Sequence, residues 1–214
     1  MTRFIIIRHG YSAFNKENRF SGQADIELDE IGYSQADSVA EYVLKNFQID
    51  SIYSSDLVRA YNTAKPIAIA LELPIIKDAG LRELHVGDWE GMLITEVAEK
   101  FPESFKMYKT NIGLARPDGG ESYPELAKRA SDTFERIANE NEGKTVLVAT
   151  HGGVIRTLRC AWLDVPKEEY QNVPHVPNAS ITIAEYADGK GVFTEVGLDS
   201  YLKEKTTEKG LAVV

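Results

Sequence analysis

Two apolar runs, each followed by His-Gly, constrain this chain more than any other sequence feature. One lies within Arg3–Gly10 and the other within Lys144–Gly153, in a chain with only four histidines. Such runs, rich in β-branched residues, are typical of strands buried on both faces. Ligands of α/β sheets bind at the carboxyl ends of strands, so both runs are expected to bring Arg8, His9 and His151 to one site. The alternative is a pair of exposed strand ends with solvated side chains.

The rest of the pattern predicts an α/β fold with a mostly parallel sheet. Apolar periodicity and capping residues indicate helices over about residues 29–47, 57–71, 94–100, 121–141 and 154–163. Further short apolar runs indicate strands over about residues 49–53 and 74–77. The Asp188-Gly189 turn between two alternating segments predicts a hairpin, which adds one antiparallel strand at the sheet edge. Residues 11–25 and 81–91 are predicted to be loops.

Length and composition predict a cytoplasmic chain folded as one domain over residues 1–214. A helical and loop excursion over about residues 92–120 is expected above the site, and the tail from about 201 to 214 is expected to be flexible or to dock on a partner. No apolar run has the length of a membrane helix, and no signal-peptide pattern opens the chain. The single cysteine, Cys160, excludes an internal disulfide framework. The net charge of −9 argues against nucleic-acid binding.

Two further charged residues are candidates for the same site. Arg59 lies in the first turn of a predicted helix, where a basic side chain opposes the helix dipole. An anion bound at that terminus would explain it, and a neighbouring carboxylate is the alternative partner. Glu83 follows the third predicted strand, at the expected ligand-binding edge of the sheet.

Together, the candidate residues suit phosphoryl transfer. Arginine forks match phosphate oxygens in pairs, and a neutral imidazole such as that of His9 can attack phosphorus. Arg8, Arg59 and His151 could neutralise the charge on the equatorial oxygens without a metal. Glu83 could then donate a proton to the leaving alkoxide and later take one from water.

A metal site is the rival interpretation. It would use His9, His151, Glu83 and His85, but the neighbouring arginines would repel a cation. The sequence also lacks HExxH-like spacing. His85 and His175 are therefore interpreted as loop or packing residues.

Several motifs along the chain resemble those of a known family. The segments that carry the resemblance are Arg8-His9-Gly10, Asn15, Arg19-Phe20-Ser21-Gly22, Ser54-Ser55-Asp56-Leu57, Arg59-Ala60, Leu81-Arg82-Glu83, Gly87-Asp88-Trp89-Glu90-Gly91, Gly119-Gly120-Glu121-Ser122 and Thr150-His151-Gly152-Gly153. In this order they are similar to the histidine phosphatase superfamily, the phosphoglycerate-mutase-like proteins, over nearly the whole chain.

The resemblance implies both a fold and a mechanism. The fold is a three-layer α/β/α sandwich around a mostly parallel sheet with one antiparallel edge strand. His9 would be phosphorylated, Glu83 would be the proton donor, and neither a metal nor an organic cofactor is expected. The phosphate-binding residues would be Arg8, Asn15, Ser21, Gly22, Arg59, His151 and Gly152.

The departures from the family pattern favour a phosphatase of small phosphorylated metabolites. Family mutases usually carry Glu-Arg-His-Tyr-Gly and a later Arg-Arg pair for the substrate carboxylate. Here Leu84 follows Glu83, and only Arg116 stands near the pair's place. A cofactor-dependent phosphoglycerate mutase is the alternative, and a non-catalytic module that binds phospho-ligands is a second one. Monomer and homodimer are both compatible with the sequence.

Overall fold

A mixed sheet forms the centre of the structure, which is a computed structural model that describes residues 1–206. Within those residues, the strands are β1 (Thr2–Arg8), β2 (Ser51–Ser54), β3 (Ile75–Lys77), β4 (Thr145–Thr150), β5 (Ile181–Ala187) and β6 (Lys190–Leu198). Their order across the sheet is β3-β2-β4-β1-β5-β6. The first four in this order pair in parallel, whereas β5 pairs antiparallel with both β1 and β6.

Helices cover both faces of the sheet. They are α1 (Ala13–Glu17), α2 (Glu30–Asn46), α3 (Val58–Leu71), α4 (Ile94–Lys100), α5 (Pro102–Thr110), α6 (Tyr123–Glu140) and α7 (Gly152–Trp162). Short 3-10 turns occur at Ala79–Leu81, Gly87–Trp89 and Lys167–Asn172. Side-chain oxygens cap the two longest helices: Asp29 accepts from the Gly32 amide at the start of α2, and Ser122 forms a capping box with Glu125 at the start of α6.

The apolar run of β1 explains why the sheet has two covered faces. Successive strand residues point to opposite sides, so Phe4 and Ile6 pack with α6 and α7, whereas Ile5 and Ile7 pack with α2 and α3. All four side chains are fully buried. Burying each contributes about 1.5–3 kcal/mol, which fixes this strand in the middle of the protein.

The predicted three-layer sandwich and the mostly parallel sheet are confirmed. The strand that runs against the others is β5, and the second strand of the hairpin, β6, forms the edge. The prediction of an uninterrupted loop over residues 11–25 is wrong, because α1 lies within it. A capping box between Ser12 and Asn15 nucleates this short helix, and apolar periodicity cannot reveal one turn of a largely polar segment.

The excursion over residues 92–120 consists of α4 and α5 followed by an irregular segment. The start of the predicted flexible tail is packed: Tyr201 stacks on Tyr42 with ring centroids 4.5 Å apart, and Leu202 is buried. The rest of that prediction, residues 207–214, lies outside the described residues, and the single-domain organisation stays a prediction. No helix in residues 1–206 combines the length and the apolar character needed to span a membrane.

Candidate active site

The register of the sheet places two histidines side by side. Arg8 at the end of β1 is opposite Thr150 at the end of β4 in a parallel ladder. His9 and His151 therefore leave the sheet at the same edge, with ring centroids 5.1 Å apart. Both rings are buried, so they meet in a region from which bulk water is largely excluded.

The His9 ring is held as a neutral nucleophile. Its Nδ1 lies 2.7 Å from the carbonyl oxygen of Gly10. A carbonyl can only accept, so Nδ1 carries the proton and Nε2 keeps its lone pair. Burial, followed by the charges of Arg59 and Arg8, holds the pKa of His9 well below its usual value. The free lone pair on Nε2 is what nucleophilic attack requires.

His151 is arranged as a neutral hydrogen-bond donor. Its Nε2 lies 2.8 Å from the hydroxyl of Ser55, just beyond β2. When that hydroxyl donates to Nε2, the ring proton sits on Nδ1. The buried Nδ1 has no hydrogen-bond partner within residues 1–206. Burial and the charge of Arg59 hold the pKa of His151 well below its usual value, so this ring offers a donor without adding a charge.

Arg59 is fully buried at the start of α3, where its guanidinium is held by the backbone of the preceding loop. It donates to the carbonyl of Gly22 at 2.7 Å and to that of Ala24 at 2.8 Å. Gly22 has φ +47°, and a Cβ there would lie 2.6 Å from Val86, so only glycine suits this close approach. Burial lowers the pKa of Arg59 to about 10, which leaves the group charged at neutral pH. Within residues 1–206 its hydrogen-bond partners are carbonyls, while the carboxylates of Glu83, Asp25 and Glu90 act on it through their charges.

Arg8 reaches the same region from the end of β1. Its Nη1 donates to the carbonyl of Val176 at 2.6 Å. A Cβ on Gly152 would lie 3.2 Å from Arg8 Nε and 3.3 Å from His175 Nδ1, so the first turn of α7 is tightly packed against both. The fixed positions of Arg8 and Arg59 create a positive region around the two histidines.

Glu83 is a buried carboxyl whose pKa is raised. Its oxygens accept from the amides of Leu84 at 2.8 Å and Gly153 at 3.0 Å. Burial raises its pKa above the usual value, although these two hydrogen bonds and the charges of Arg59 and Arg8 oppose the shift. A carboxyl that keeps its proton longer than usual is suited to general acid catalysis.

Arg129 of α6, which was not among the predicted site residues, fixes the backbone around Glu83 through hydrogen bonds. The guanidinium of Arg129 donates to the carbonyls of Gly80, Arg82 and Glu83 at 2.9, 2.8 and 3.2 Å. It also forms a bidentate ion pair with Glu121, with N–O distances of 3.0 and 2.7 Å. The only signal in the sequence is a charged residue beside the apolar stripe of a long helix.

The side chains of Asn15 and Ser21, also predicted to bind phosphate, form no hydrogen bond with either histidine within residues 1–206. The amide oxygen of Asn15 accepts from the backbone and hydroxyl of Ser12, which makes Asn15 part of the cap of α1. The hydroxyl of Ser21 is buried without a partner within residues 1–206. Roles for Asn15, Ser21, Gly22 and Gly152 in phosphate binding stay predictions.

The donors of the rival metal interpretation do not form a metal-binding cluster in the described part of the chain. Within residues 1–206, no three His, Cys, Asp or Glu side chains lie close enough to hold a metal ion. His85 lies in the predicted loop with its side chain about half exposed, and its Nε2 is 3.8 Å from Glu90. His175 packs beside Gly152 and Arg8, so the residue interpreted as a loop or packing residue lies next to the site.

Comparison with known proteins places the chain in a family. The family model for branch 1 of the histidine phosphatase superfamily matches residues 4–199. Phosphoglycerate mutase-like protein 4 of Arabidopsis thaliana is 35% identical over 203 residues, which are 94% of this chain and 86% of that protein. The metal-independent phosphoserine phosphatase of the same plant is 36% identical over 194 residues, which are 90% of this chain and 79% of that protein.

Solved structures agree with this placement. A mycobacterial glucosyl-3-phosphoglycerate phosphatase in complex with VO3 superposes with a TM-score of 0.83 at 31% identity, covering 92% of this chain and 99% of that one. The match of sequence and fold extends over nearly the full chain, including both strands that end in His-Gly. This chain is therefore a member of branch 1 of the histidine phosphatase superfamily.

Proposed function

We propose that this protein hydrolyses phosphomonoesters of small metabolites through a phosphohistidine intermediate on His9. The observation that carries the proposal is the placement of His9. Its unprotonated Nε2 belongs to a buried, neutral ring beside Arg8 and Arg59, and a buried carboxyl with a raised pKa lies in the same site. This set contains a nucleophile, anion-binding groups and a proton donor.

In the first step, His9 Nε2 attacks phosphorus and the bond from phosphorus to the leaving oxygen breaks. The leaving oxygen takes the proton of Glu83, which becomes a carboxylate. The guanidinium groups and the His151 Nδ1 hydrogen balance the charge on the phosphoryl oxygens as the group moves. Because both histidines are neutral, the positive charge of the site comes mainly from arginine.

In the second step, water attacks the phosphoryl group from the side that the leaving group has vacated. Glu83 takes a proton from this water while the phosphorus–nitrogen bond breaks. Inorganic phosphate then leaves, with His9 neutral and Glu83 protonated again. The same carboxyl thus acts first as acid and then as base, as the symmetry of the two half-reactions requires.

The names of the relatives support small phosphorylated substrates, since they include a phosphoserine phosphatase and a glucosyl-3-phosphoglycerate phosphatase. The direct test is turnover of p-nitrophenyl phosphate, followed by a panel of phosphorylated sugars, acids and amino acids. Release of phosphate supports an enzyme, whereas tight binding without release supports the non-catalytic module. Cytoplasmic location and the choice between monomer and homodimer stay predictions.

Chelators are expected to leave the activity intact, and vanadate or tungstate is expected to inhibit it. The charges that stabilise the phosphoryl group come from Arg8 and Arg59, and the site can therefore bind a phosphate-like oxyanion directly. A related phosphatase has been solved with VO3. The measurement is p-nitrophenyl phosphate turnover after EDTA dialysis, with and without the oxyanions. Loss of activity in EDTA that a divalent ion restores would favour the metal interpretation.

Hydrolysis is expected to outrun mutase activity with phosphoglycerates. A mutase must hold a bisphosphorylated intermediate and exclude water, for which paired arginines are well suited. Here Leu84 is fully buried in the core, and Arg116 is exposed and bound to Glu125 and the carbonyl of Gly120. Neither side chain is placed to hold a substrate carboxylate.

The test is incubation with 3-phosphoglycerate and a trace of 2,3-bisphosphoglycerate, followed for 2-phosphoglycerate and free phosphate together. Free phosphate is expected to accumulate faster. Interconversion well ahead of phosphate release would instead assign the chain to the mutases.

A further inference from the structure

Arg156 of α7 is a buried cation without a buried counter-ion. Only 8% of the residue is exposed. Its Nη2 donates to the carbonyl of Gln171 at 3.0 Å, and its Nε has no partner within residues 1–206. No carboxylate of the described chain lies within ion-pair distance of it. Buried charges are normally paired, because an unpaired one is costly. This guanidinium therefore has donor capacity and charge that the protein itself leaves unused.

Helix geometry puts Arg156 on the side of α7 that faces the candidate active site. Residues three and four positions apart share a helix face, so Arg156 follows Gly152 and Gly153 along one side. Gly152 packs against Arg8 and His175, and the Gly153 amide donates to Glu83. Arg156 thus lies one turn beyond the two glycines that contact a phosphate-binding arginine and the proton donor.

Three neutral polar side chains share the surroundings of Arg156. Tyr108 of α5 and Tyr123 of α6 are buried with ring centroids 6.3 Å apart, and both interact with the charge of Arg156. Within residues 1–206, the buried His175 Nδ1 and the buried Tyr123 hydroxyl form no well-aligned hydrogen bond, although the hydroxyl interacts with Tyr108 and Arg156. Burial raises the pKa of Tyr123 to about 12 and holds that of His175 well below its usual value, so both are neutral at neutral pH.

We propose that Arg156, with Tyr108, Tyr123 and His175, forms a subsite for an anionic group on the leaving portion of the substrate. The anion is a carboxylate or a second phosphate, a few bonds away from the scissile phosphate. The proposal rests on the proposed phosphatase function and adds to it the class of substrate, a phosphomonoester with a second anion.

The position of the subsite follows from that of Glu83. This carboxyl protonates the leaving oxygen, so the rest of the leaving group must extend from its vicinity. The Gly153 amide donates to Glu83, and Arg156 follows Gly153 by one turn of α7, which places the subsite on that side. A bound anion would accept hydrogen bonds from Arg156 and act as its counter-ion. The scissile phosphate cannot fill this role, because it is bound next to His9.

The experiment compares substrates that differ by one anionic group. O-phosphoserine is paired with O-phosphoethanolamine, which lacks only the carboxylate, and propane-1,3-diol bisphosphate is paired with its monophosphate. Losing one charge-assisted interaction corresponds to about 10- to 100-fold in kcat/KM. The wild type is expected to prefer, by that factor, the member of one pair that carries the second anionic group, and the pair that shows the preference identifies the anion.

Arg156→Met is expected to reduce that preference to about one, and Tyr123→Phe is expected to reduce it in part. The preference is a ratio measured on one protein sample, so partial misfolding does not change it. Arg159→Met is the matched control, because Arg159 lies on the same helix and donates to the carbonyl of Pro174 instead. It is expected to keep the wild-type preference.

The subsite is refuted if the wild type turns over both members of each pair equally, or if the preference survives Arg156→Met. Failure of the phosphatase proposal looks different, because then no ester is hydrolysed. In that case, calorimetry of the same compounds with His9→Ala and with His9→Ala plus Arg156→Met decides. Tighter binding of the compound with the second anionic group that disappears with Arg156 supports the subsite, and equal binding overturns it.

Discussion

His9→Ala is expected to abolish turnover, with a loss of more than about 10⁴-fold in kcat, as for the removal of other covalent nucleophiles. The substitution removes Nε2 and leaves the rest of the site in place, because within residues 1–206 the ring bonds only to the adjacent Gly10 carbonyl. The measurement is p-nitrophenyl phosphate hydrolysis under saturating substrate, with an unfolding midpoint to show that the variant is folded.

The control for this loss is His85→Ala. His85 is the half-exposed histidine of the loop that follows Glu83, and its Nε2 lies 3.8 Å from Glu90. Its removal is expected to leave p-nitrophenyl phosphate hydrolysis within a few-fold of wild type. Substantial residual activity in the His9 variant would mean that water attacks the substrate directly, and the covalent mechanism would have to be abandoned.

Glu83→Gln is expected to lower the rate by about 10²- to 10⁴-fold for alkyl phosphates, whose leaving group needs a proton. The amide keeps the size of the carboxyl but has no acidic proton, and its single oxygen can accept from only one of the Leu84 and Gly153 amides. The loss with p-nitrophenyl phosphate should be much smaller, since nitrophenolate leaves without that proton.

The ratio of these two losses is the informative quantity. Both substrates are assayed on the same variant, so a general loss of folded protein affects them equally and cancels. Equal losses would show that Glu83 positions another group or supports the fold, and that the leaving group obtains its proton elsewhere.

The features that sequence could predict are those carried by local patterns. The apolar runs before His9 and His151 gave the buried strands, and the parallel register that joins Arg8 to Thr150 then brings both rings together. Arg59 was identifiable because a basic residue at a helix start needs an explanation. In each case, a few neighbouring residues contain enough information to place a side chain at the ligand-binding edge of the sheet.

The features that sequence missed depend on contacts between distant segments. Arg129 donates to the carbonyl of Gly80, a residue 49 positions away. No local sequence pattern around either residue predicts this contact. Arg156 lies in a helix whose apolar periodicity gives no sign of a functional residue. The structure distinguishes Arg156, because the residue is buried and its partner is a carbonyl rather than a carboxylate. Helix α1 is a single turn in a polar segment, so no apolar periodicity reveals it or its capping box.

The most direct test of the central claim is chemical detection of phosphorylated His9. Wild-type protein is mixed with a ³²P-labelled phosphomonoester, quenched in base within the first turnover, digested and mapped by mass spectrometry. The mechanism predicts label on the peptide that contains His9, stable in base, released in acid and absent from His9→Ala. Rapid phosphate release with no label on that peptide, or with label on another side chain, would contradict it.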